Sequence, residues 1–148
     1  MCRALQLAAM GQGRVSPNPM VGAVIVCDDK IIGEGYHRQW GGPHAEVNAV
    51  ASVEDKSKLS CSTMYVTLEP CSHYGKTPPC AELIIKSGIP RVIVGAMDPF
   101  EKVRGRGVDM LRKAGVDVVT GVLEKECDEL NKHFMTAHKS CRPFVLLK

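Results

Sequence analysis

Apolar and polar residues alternate along this chain with two periods, one typical of helices and one typical of strands. In Met1–Met10 the apolar positions recur on one helical face, which predicts a first helix. Two short apolar runs follow, Val21–Cys27 and Ile31–Tyr36, with Asp28-Asp29 between them. Because aspartates at so short a connection indicate a tight turn, the two runs are predicted to form an antiparallel hairpin.

After the hairpin the pattern alternates between helix and strand. We expect helices at His44–Val53, Cys80–Lys86 and Gly107–Lys113, strands at Met64–Leu68, Arg91–Met97 and Val116–Val122, and a last amphipathic helix from about Glu124 to Ala137. Strands joined by helical crossovers of this length must be parallel, because only a hairpin joins antiparallel neighbours tightly. The pattern therefore predicts an α/β fold with a mixed, mostly parallel five-stranded sheet and helices on both of its faces.

Composition narrows the class of protein. A chain of 148 residues with 45% apolar and 24% charged residues can build one compact domain with a hydrophobic core. The net charge of +3 comes from scattered Lys and Arg, which does not favour a nucleic-acid groove. No apolar run reaches the roughly 18 residues of a membrane span, and the N-terminus carries no signal segment. We therefore expect a cytoplasmic protein with neither nucleic-acid nor membrane partners.

Three residues combine into a zinc-binding pattern. His44 opens a predicted helix, Cys71 follows a predicted strand, and Cys80 opens another helix. Strand ends and helix starts gather at one edge of such a sheet, so the three side chains are expected to converge. A structural zinc usually has four protein ligands, whereas a catalytic zinc has three and keeps a position open for water. The set is therefore predicted to bind one catalytic Zn²⁺ per chain, with a purely structural zinc as the alternative.

Glu46, two residues after His44, is the predicted proton carrier. Zinc lowers the pKa of a water molecule towards ~7, and a carboxylate at this spacing can pass the proton of that water to a departing amine. His-x-Glu, followed by Pro-Cys and a second cysteine, is the pattern of the zinc nucleobase deaminases. The alternative for Glu46 is a solvated glutamate in the first turn of a helix.

The spacing of the two cysteines departs from that pattern. Eight residues, Ser-His-Tyr-Gly-Lys-Thr-Pro-Pro, separate Cys71 from Cys80, where the pattern has two. Together with the strings Ser16–Val24 and His44–Glu46, this loop resembles the deaminase domain of the RibD family of bifunctional riboflavin biosynthesis proteins. The resemblance covers nearly the whole chain. Deaminases of similar fold that act on tRNA adenosine, cytosine or guanine generally keep the cysteines three positions apart.

The resemblance implies a fold and a reaction. The fold is the three-layer α/β/α sandwich of the cytidine deaminase-like superfamily. The reaction is the zinc-dependent hydrolytic deamination of 2,5-diamino-6-ribosylamino-4(3H)-pyrimidinone 5′-phosphate to 5-amino-6-ribosylamino-2,4(1H,3H)-pyrimidinedione 5′-phosphate. We accordingly expect a small-molecule pyrimidine ribose phosphate as the substrate, and a homo-oligomer as the assembly.

The resemblance also implies roles for individual residues. The family's zinc ligands and its proton carrier match the four residues named above. Its substrate-binding positions match Asn18, His37, His73, Lys76 and Asp98. Asn18 offers a donor and an acceptor to a pyrimidinone edge, and His73 and Lys76 offer cationic donors to a phosphate. As alternatives, Asn18 between two prolines suits a turn, and Lys76 suits a solvated loop tip.

One position departs from the family pattern. The family usually follows its Asp-Pro with an Asn-Pro pair, whereas Asp98-Pro99 is followed here by Phe100-Glu101. The change removes an amide that is expected near the ribose of the substrate.

A reductase domain that uses NADPH follows the deaminase domain in the bifunctional family. Its first strand resembles the segment from Arg142 to Lys148. We therefore expect residues 1–141 to form the deaminase domain and 142–148 to be the start of a reductase domain that is absent from this chain. No NADPH site is expected in the chain itself, since Gly105-Arg106-Gly107 lacks the third glycine of a dinucleotide-binding loop.

Two other functions stay open at this point. The nearer one is a deaminase of another base or nucleotide, which a two-residue cysteine spacing would have favoured. The more distant one is a zinc-stabilised interaction module without catalytic activity, which ammonia release from the pyrimidine substrate would exclude. The cysteines outside the zinc set have no disulfide-like spacing, so we expect reduced thiols at Cys2, Cys27, Cys61, Cys127 and Cys141.

Overall fold

The computed structural model describes residues 1–75, 78–100 and 104–140. Their elements are, in chain order, α1 (Cys2–Ala9), β1 (Gly22–Cys27), β2 (Lys30–Tyr36), α2 (Ala45–Ser52), a 3₁₀ helix (Lys56–Cys61), β3 (Thr63–Leu68), α3 (Cys80–Lys86), β4 (Arg91–Ala96), α4 (Arg106–Lys113), β5 (Asp117–Val119), α5 (Glu124–Leu130) and α6 (Lys132–Ser140). The predicted order of helices and strands is thereby confirmed as far as β5, and the 3₁₀ helix is added to it.

The five strands form one mixed sheet in the order β2-β1-β3-β4-β5. β1 is antiparallel to both β2 and β3, whereas β3, β4 and β5 are parallel to one another. Four strands therefore share one direction and β1 alone opposes them, which confirms a mixed, mostly parallel sheet. The hairpin turn is made by Asp28 and Asp29 with φ of 50° and 58°, the left-handed conformation that two-residue hairpin turns require.

Helices cover both faces of the sheet. α1 packs on β1, β2 and β3, and α5 packs on β4, while α2 lies on β1 and β2 with α3 and α4 continuing that layer to β5. Alternate residues of β1 serve the two layers: Ala23 and Ile25 belong to the core with α2, α3 and α4, whereas Val24 packs with Ala4 and Leu7 of α1. The three-layer α/β/α sandwich that the resemblance implied is thus confirmed.

Gly35 brings α2 unusually close to the sheet. A Cβ at this position would clash with the backbone N of Ala49 and the carbonyl O of Ala45. Only glycine permits this approach of a helix backbone to a strand. The first turn of α2, which follows His44 and contains Glu46, is therefore held against β2.

The prediction of a single last helix is wrong, because two helices, α5 and α6, occupy that segment and meet at Asn131. Asn131 has φ −107° and ψ 23°, outside helical values. Its buried side chain accepts a hydrogen bond from Met20 N and donates one to Met20 O, both at 2.8 Å. This pairing with a distant backbone fixes the point where the helix is interrupted. The predicted strand Val116–Val122 is also shorter than expected, at Asp117–Val119.

Two cysteines outside the zinc pattern are neighbours. Cys27 Sγ lies 3.1 Å from Cys61 Sγ, although the residues are 34 positions apart. The hydrogen bond with Cys61 raises the pKa of the Cys27 thiol to about 11. The sequence spacing gave no indication of this pair.

Across the described ranges, no helix combines the length and the apolar character that crossing a bilayer requires. The expected boundary near Arg142, and the segment 142–148 with it, lies outside the described residues.

Candidate active site

His44, Cys71 and Cys80 meet at the edge of the sheet where β3 ends. His44 is the N-cap of α2, Cys71 follows β3 after two residues, and Cys80 is the first residue of α3. His44 Nδ1 lies 3.6 Å from Cys71 Sγ and 3.3 Å from Cys80 Sγ. The three ligand atoms all lie within 4.8 Å of one another. Segments that are distant in sequence therefore form one donor cluster.

The geometry of this cluster fits zinc. With Zn–S of about 2.3 Å and Zn–N of about 2.0–2.1 Å, nitrogen and sulfur ligands of a tetrahedral zinc are about 3.6 Å apart. The two separations from His44 Nδ1 are close to this value. Within the described part of the chain, no fourth His, Cys, Asp or Glu joins the cluster. Three protein ligands are the number expected of a catalytic zinc, so the residues are positioned to hold one such ion.

The surroundings of Cys71 favour its thiolate form. A hydrogen bond from the Cys80 thiol, supported by His44 and by the Cys80 backbone N–H, lowers the pKa of Cys71 to about 4. The Cys80 N–H donates to Cys71 Sγ at 3.2 Å, from the first turn of α3. Since the thiolate is the form that binds metal, the local hydrogen bonds prepare this ligand.

Glu46 is buried beside the donor cluster, with only 3% of its surface exposed. This burial raises the pKa of the carboxyl group, and the Cys80 thiol forms a hydrogen bond with it. A solvated first-turn glutamate, the alternative interpretation, would be exposed. The burial of Glu46 therefore contradicts that alternative and leaves a carboxyl group facing the metal ligands.

A cavity of about 260 Å³ opens next to the donor cluster. The sequence-predicted site residues that line it are Asn18, His37, His44, Glu46, Cys71, His73 and Asp98. Cys80 lies behind the cavity wall, where it is buried at 2% exposure. Lys76 falls outside the described residues.

His37 and Asn18 form an ordered polar wall of the cavity. His37, which is 3% exposed, places Nδ1 at 3.0 Å from Pro43 O and Nε2 at 3.1 Å from Asn18 Nδ2. A carbonyl oxygen only accepts, so Nδ1 must carry the hydrogen, and in the neutral ring Nε2 then accepts from the Asn18 amide. This contact uses one of the two Nδ2 hydrogens of Asn18 and leaves Oδ1 and the other hydrogen for a ligand.

The inserted loop lies against α3 at one end. The Tyr74 hydroxyl donates to Glu82 Oε2, and Lys86 pairs with the same carboxylate at 2.5 Å. His73, the preceding residue, is exposed and borders the cavity. Tyr74 thereby connects the loop to α3 next to His73.

Asp98 borders the cavity from the end of β4. Its Oδ1 accepts a hydrogen bond from Phe100 N at 2.8 Å, which makes a tight turn at this position. Phe100, the residue that replaces the usual asparagine, is 46% exposed. The turn is thus closed by the Asp98 side chain on the backbone N–H of Phe100, with the Phe100 side chain near the surface.

Glu69 and Phe134 are among the cavity-lining residues that carried no predicted role. Glu69 is buried at 7% exposure and lines the cavity; a charged residue directly after the apolar strand Met64–Leu68 was a signal that could have indicated it. Phe134 of α6 lines the same cavity and a neighbouring one of about 500 Å³. No local pattern distinguished Phe134 from other apolar positions of an amphipathic helix.

Comparisons with known proteins agree with this geometry. Residues 1–96 match the family model of the cytidine and deoxycytidylate deaminase zinc-binding region. The chain is 48% identical to the diaminohydroxyphosphoribosylamino-pyrimidine deaminase of Buchnera aphidicola subsp. Schizaphis graminum, over 97% of this chain and 96% of that protein.

Longer relatives match the chain over part of their length. It is 52% identical over its whole length to the riboflavin biosynthesis protein RibD of Actinobacillus pleuropneumoniae, of which it spans 39%. The crystal structure of a diaminohydroxyphosphoribosylaminopyrimidine deaminase/5-amino-6-(5-phosphoribosylamino)uracil reductase from Thermotoga maritima superposes with a TM-score of 0.91 at 51% identity. That match covers 97% of this chain and 41% of the Thermotoga chain.

Proposed function

This chain is a zinc-binding deaminase domain of the cytidine and deoxycytidylate deaminase family, and we propose that its substrate is 2,5-diamino-6-ribosylamino-4(3H)-pyrimidinone 5′-phosphate. The proposed reaction replaces the ring 2-amino group by oxygen, with release of ammonia. The products are ammonia and 5-amino-6-ribosylamino-2,4(1H,3H)-pyrimidinedione 5′-phosphate, an intermediate of riboflavin biosynthesis.

One observation carries this proposal above the others. A three-residue zinc donor set and a buried carboxyl group, Glu46, lie beside one cavity of a size suited to a small ring. A structural zinc site needs neither an open ligand position nor a neighbouring carboxyl group. A non-catalytic interaction module would therefore explain neither the open ligand position nor the buried Glu46.

The proposed chemistry assigns proton transfer to Glu46. When bound at His44, Cys71 and Cys80, zinc supplies Lewis-acid activation of a water molecule at neutral pH. Glu46 takes a proton from the attacking water and delivers it to the departing amine. Because Glu46 is buried, this proton is kept away from bulk solvent between the two transfers.

Recognition of the substrate is assigned to the remaining cavity walls. Asn18 Oδ1 accepts a hydrogen bond from the ring edge, and the contact of His37 with Asn18 keeps the amide in that orientation. Asp98 contributes acceptors from the opposite loop, next to the ribose. His73 and Lys76 provide cationic donors to the 5′-phosphate.

The inserted loop and the relatives together support this substrate over other bases. The chain spans nearly the full length of the Buchnera deaminase, so the activity in that protein's name is proposed for the chain as a whole. In a protein as long as the RibD relatives, we propose that a reductase domain follows residue 141. We also propose that the enzyme works in the cytoplasm as a homo-oligomer.

The test is ammonia release by the zinc-loaded chain. The diaminopyrimidinone phosphate should yield ammonia and the pyrimidinedione phosphate with a rate proportional to zinc content, whereas dCMP and adenosine should yield far less. Faster release from dCMP or adenosine would assign the chain to another deaminase activity. No release from any of the three substrates by a fully zinc-loaded chain would favour the interaction module.

A further inference from the structure

Glu69 is a buried carboxylate for which the proposed chemistry has no use. It stands directly after β3 and two residues before Cys71, and its backbone N–H donates to Ala96 O at the end of β4 at 2.9 Å. Only 7% of its surface is exposed. A buried carboxylate is costly unless its oxygens are hydrogen-bonded, so its partners indicate what it does.

Among the described residues, the hydrogen-bond partners of the Glu69 side chain are backbone N–H groups. Oε2 accepts from Asp98 N at 3.2 Å and from Gly105 N at 3.0 Å, and Oε1 accepts from Gly107 N at 3.0 Å and from Val108 N at 3.4 Å. Two of these groups lie in the first turn of α4, whose N-cap residue makes no side-chain cap of its own. Glu69 therefore replaces a local helix cap from a distant strand and reaches the loop that carries Asp98 at the same time.

The packing around Glu69 joins these groups to the metal ligand loop. A Cβ at Gly107 would clash with the carbonyl O of Pro70, the residue between Glu69 and Cys71. Glycine at 107 thus lets the start of α4 rest directly on the backbone before Cys71. The end of β3, the Asp98 turn and the start of α4 form one hydrogen-bonded unit around a single carboxylate.

We propose that Glu69 is a positioning residue, which holds the backbone of Asp98 at the distance from the zinc ligands that the substrate requires. This inference rests on the proposed function for its effect on catalysis. Glu69 itself does not touch the reacting atoms in this scheme. Glu69 acts through Asp98. A carboxylate is required because it has two acceptor oxygens, one for the N–H groups of Asp98 and Gly105 and one for those of Gly107 and Val108.

The variant Glu69→Gln tests the proposal, because the amide keeps the size but presents an NH₂ group to two of the four N–H donors. We expect kcat/KM for the diaminopyrimidinone phosphate to fall about ten- to a hundredfold, which is the scale of a small displacement of a binding group. The loss should appear mainly as a higher KM, and the variant should still bind one zinc per chain. Glu124→Gln is the matched control, since Glu124 is an exposed glutamate in the first turn of α5.

A double-variant comparison separates positioning from general destabilisation. If Glu69 acts through Asp98, adding Glu69→Gln to Asp98→Ala should lower kcat/KM by less than about threefold more, because coupled residues are not additive. Fully additive losses would overturn the proposal. Loss of zinc from Glu69→Gln would overturn it as well, since the residue would then support the metal ligands instead.

Hydrogen exchange on the unchanged chain supplies a readout that needs neither substrate nor variant. The amides of Asp98, Gly105, Gly107 and Val108 should exchange slowly. The first amides of α5, whose N-cap residue Leu123 provides no side-chain cap, should exchange faster in the same sample. Equal exchange at the two helix starts would overturn the proposal, whether or not the chain deaminates the pyrimidine. If these four amides exchange slowly but the chain releases no ammonia, the Glu69 contacts are supported and only the proposed function is rejected.

Discussion

Asn18 Nδ2 lies 3.1 Å from His37 Nε2, and the other ring nitrogen of His37 is held by Pro43 O at 3.0 Å. This chain of hydrogen bonds sets the tautomer of His37 and, through it, the orientation of the Asn18 amide. Asn18 lines the cavity, so its amide nitrogen and oxygen take defined places in the cavity wall. A flexible asparagine would present donor and acceptor interchangeably.

Replacement of Asn18 by alanine should weaken substrate binding while leaving zinc in place. Loss of the acceptor, together with an unsatisfied His37 nitrogen, is worth about 1–3 kcal/mol, or about five- to 150-fold in kcat/KM. Gln39→Ala is a suitable control, because Gln39 is exposed on the loop that follows His37. Equal kcat/KM for Asn18→Ala and the unchanged chain would remove Asn18 from the binding surface.

Glu46→Gln should bind zinc, fold and lose deamination. The amide has the shape of the carboxyl group but cannot carry a proton, and loss of a general acid/base typically lowers the rate about 10²–10⁴-fold. The measurement is single-turnover ammonia release at matched zinc content. Glu54→Gln, at an exposed glutamate after the same helix, should behave like the unchanged chain. A fully active, zinc-loaded Glu46→Gln protein would show that another group moves the proton.

Zinc removal should lower stability as well as activity, because the donor atoms come from three separate segments. A ligand that binds only the folded state, at about a hundredfold its Kd, stabilises by about 2.7 kcal/mol. Cys80→Ser should therefore lose zinc and unfold at a lower temperature, and a strong chelator should bring the unchanged chain to a similar Tm. Cys2→Ser, at an exposed cysteine of α1, should keep both properties. Retention of one tightly bound zinc by Cys80→Ser would contradict the proposed ligand set.

The phosphate contact is testable with a pair of substrates. If His73 and Lys76 bind the 5′-phosphate, His73→Ala and Lys76→Ala should each lower kcat/KM for the phosphorylated substrate about ten- to a hundredfold, the scale of a charge-assisted hydrogen bond. The corresponding nucleoside, which lacks the phosphate, should lose little. Lys58→Ala, in the exposed 3₁₀ helix, is the control. An equal loss for the nucleoside would assign the two residues to another part of the substrate.

Much of the fold and the donor cluster could be predicted because their signals are local. Ligand identity, helix starts and apolar periodicity place His44, Cys71 and Cys80 without any knowledge of packing. The contacts of Glu69 were not predictable in this way, since its partners are backbone N–H groups that carry no residue-specific signal. The approach of Cys27 to Cys61 depends on how the 3₁₀ helix packs beside the end of β1, which no spacing rule describes.

Asn131 illustrates the same limit and supports a prediction on stability. Its amide pairs with both backbone groups of Met20, 111 positions away, and only 4% of its surface is exposed. Asn131→Ala should leave the half-buried N–H and C=O of Met20 without their side-chain partner, at a cost of about 1–2 kcal/mol for each group. We expect about 2–4 kcal/mol lower free energy of unfolding by denaturant titration, with zinc still bound, because the zinc ligands lie on other segments. Asn131→Asp should recover part of this loss, since a carboxylate still accepts from Met20 N but cannot donate to Met20 O. Unchanged stability of Asn131→Ala would show that the junction of α5 and α6 is not held by this pairing.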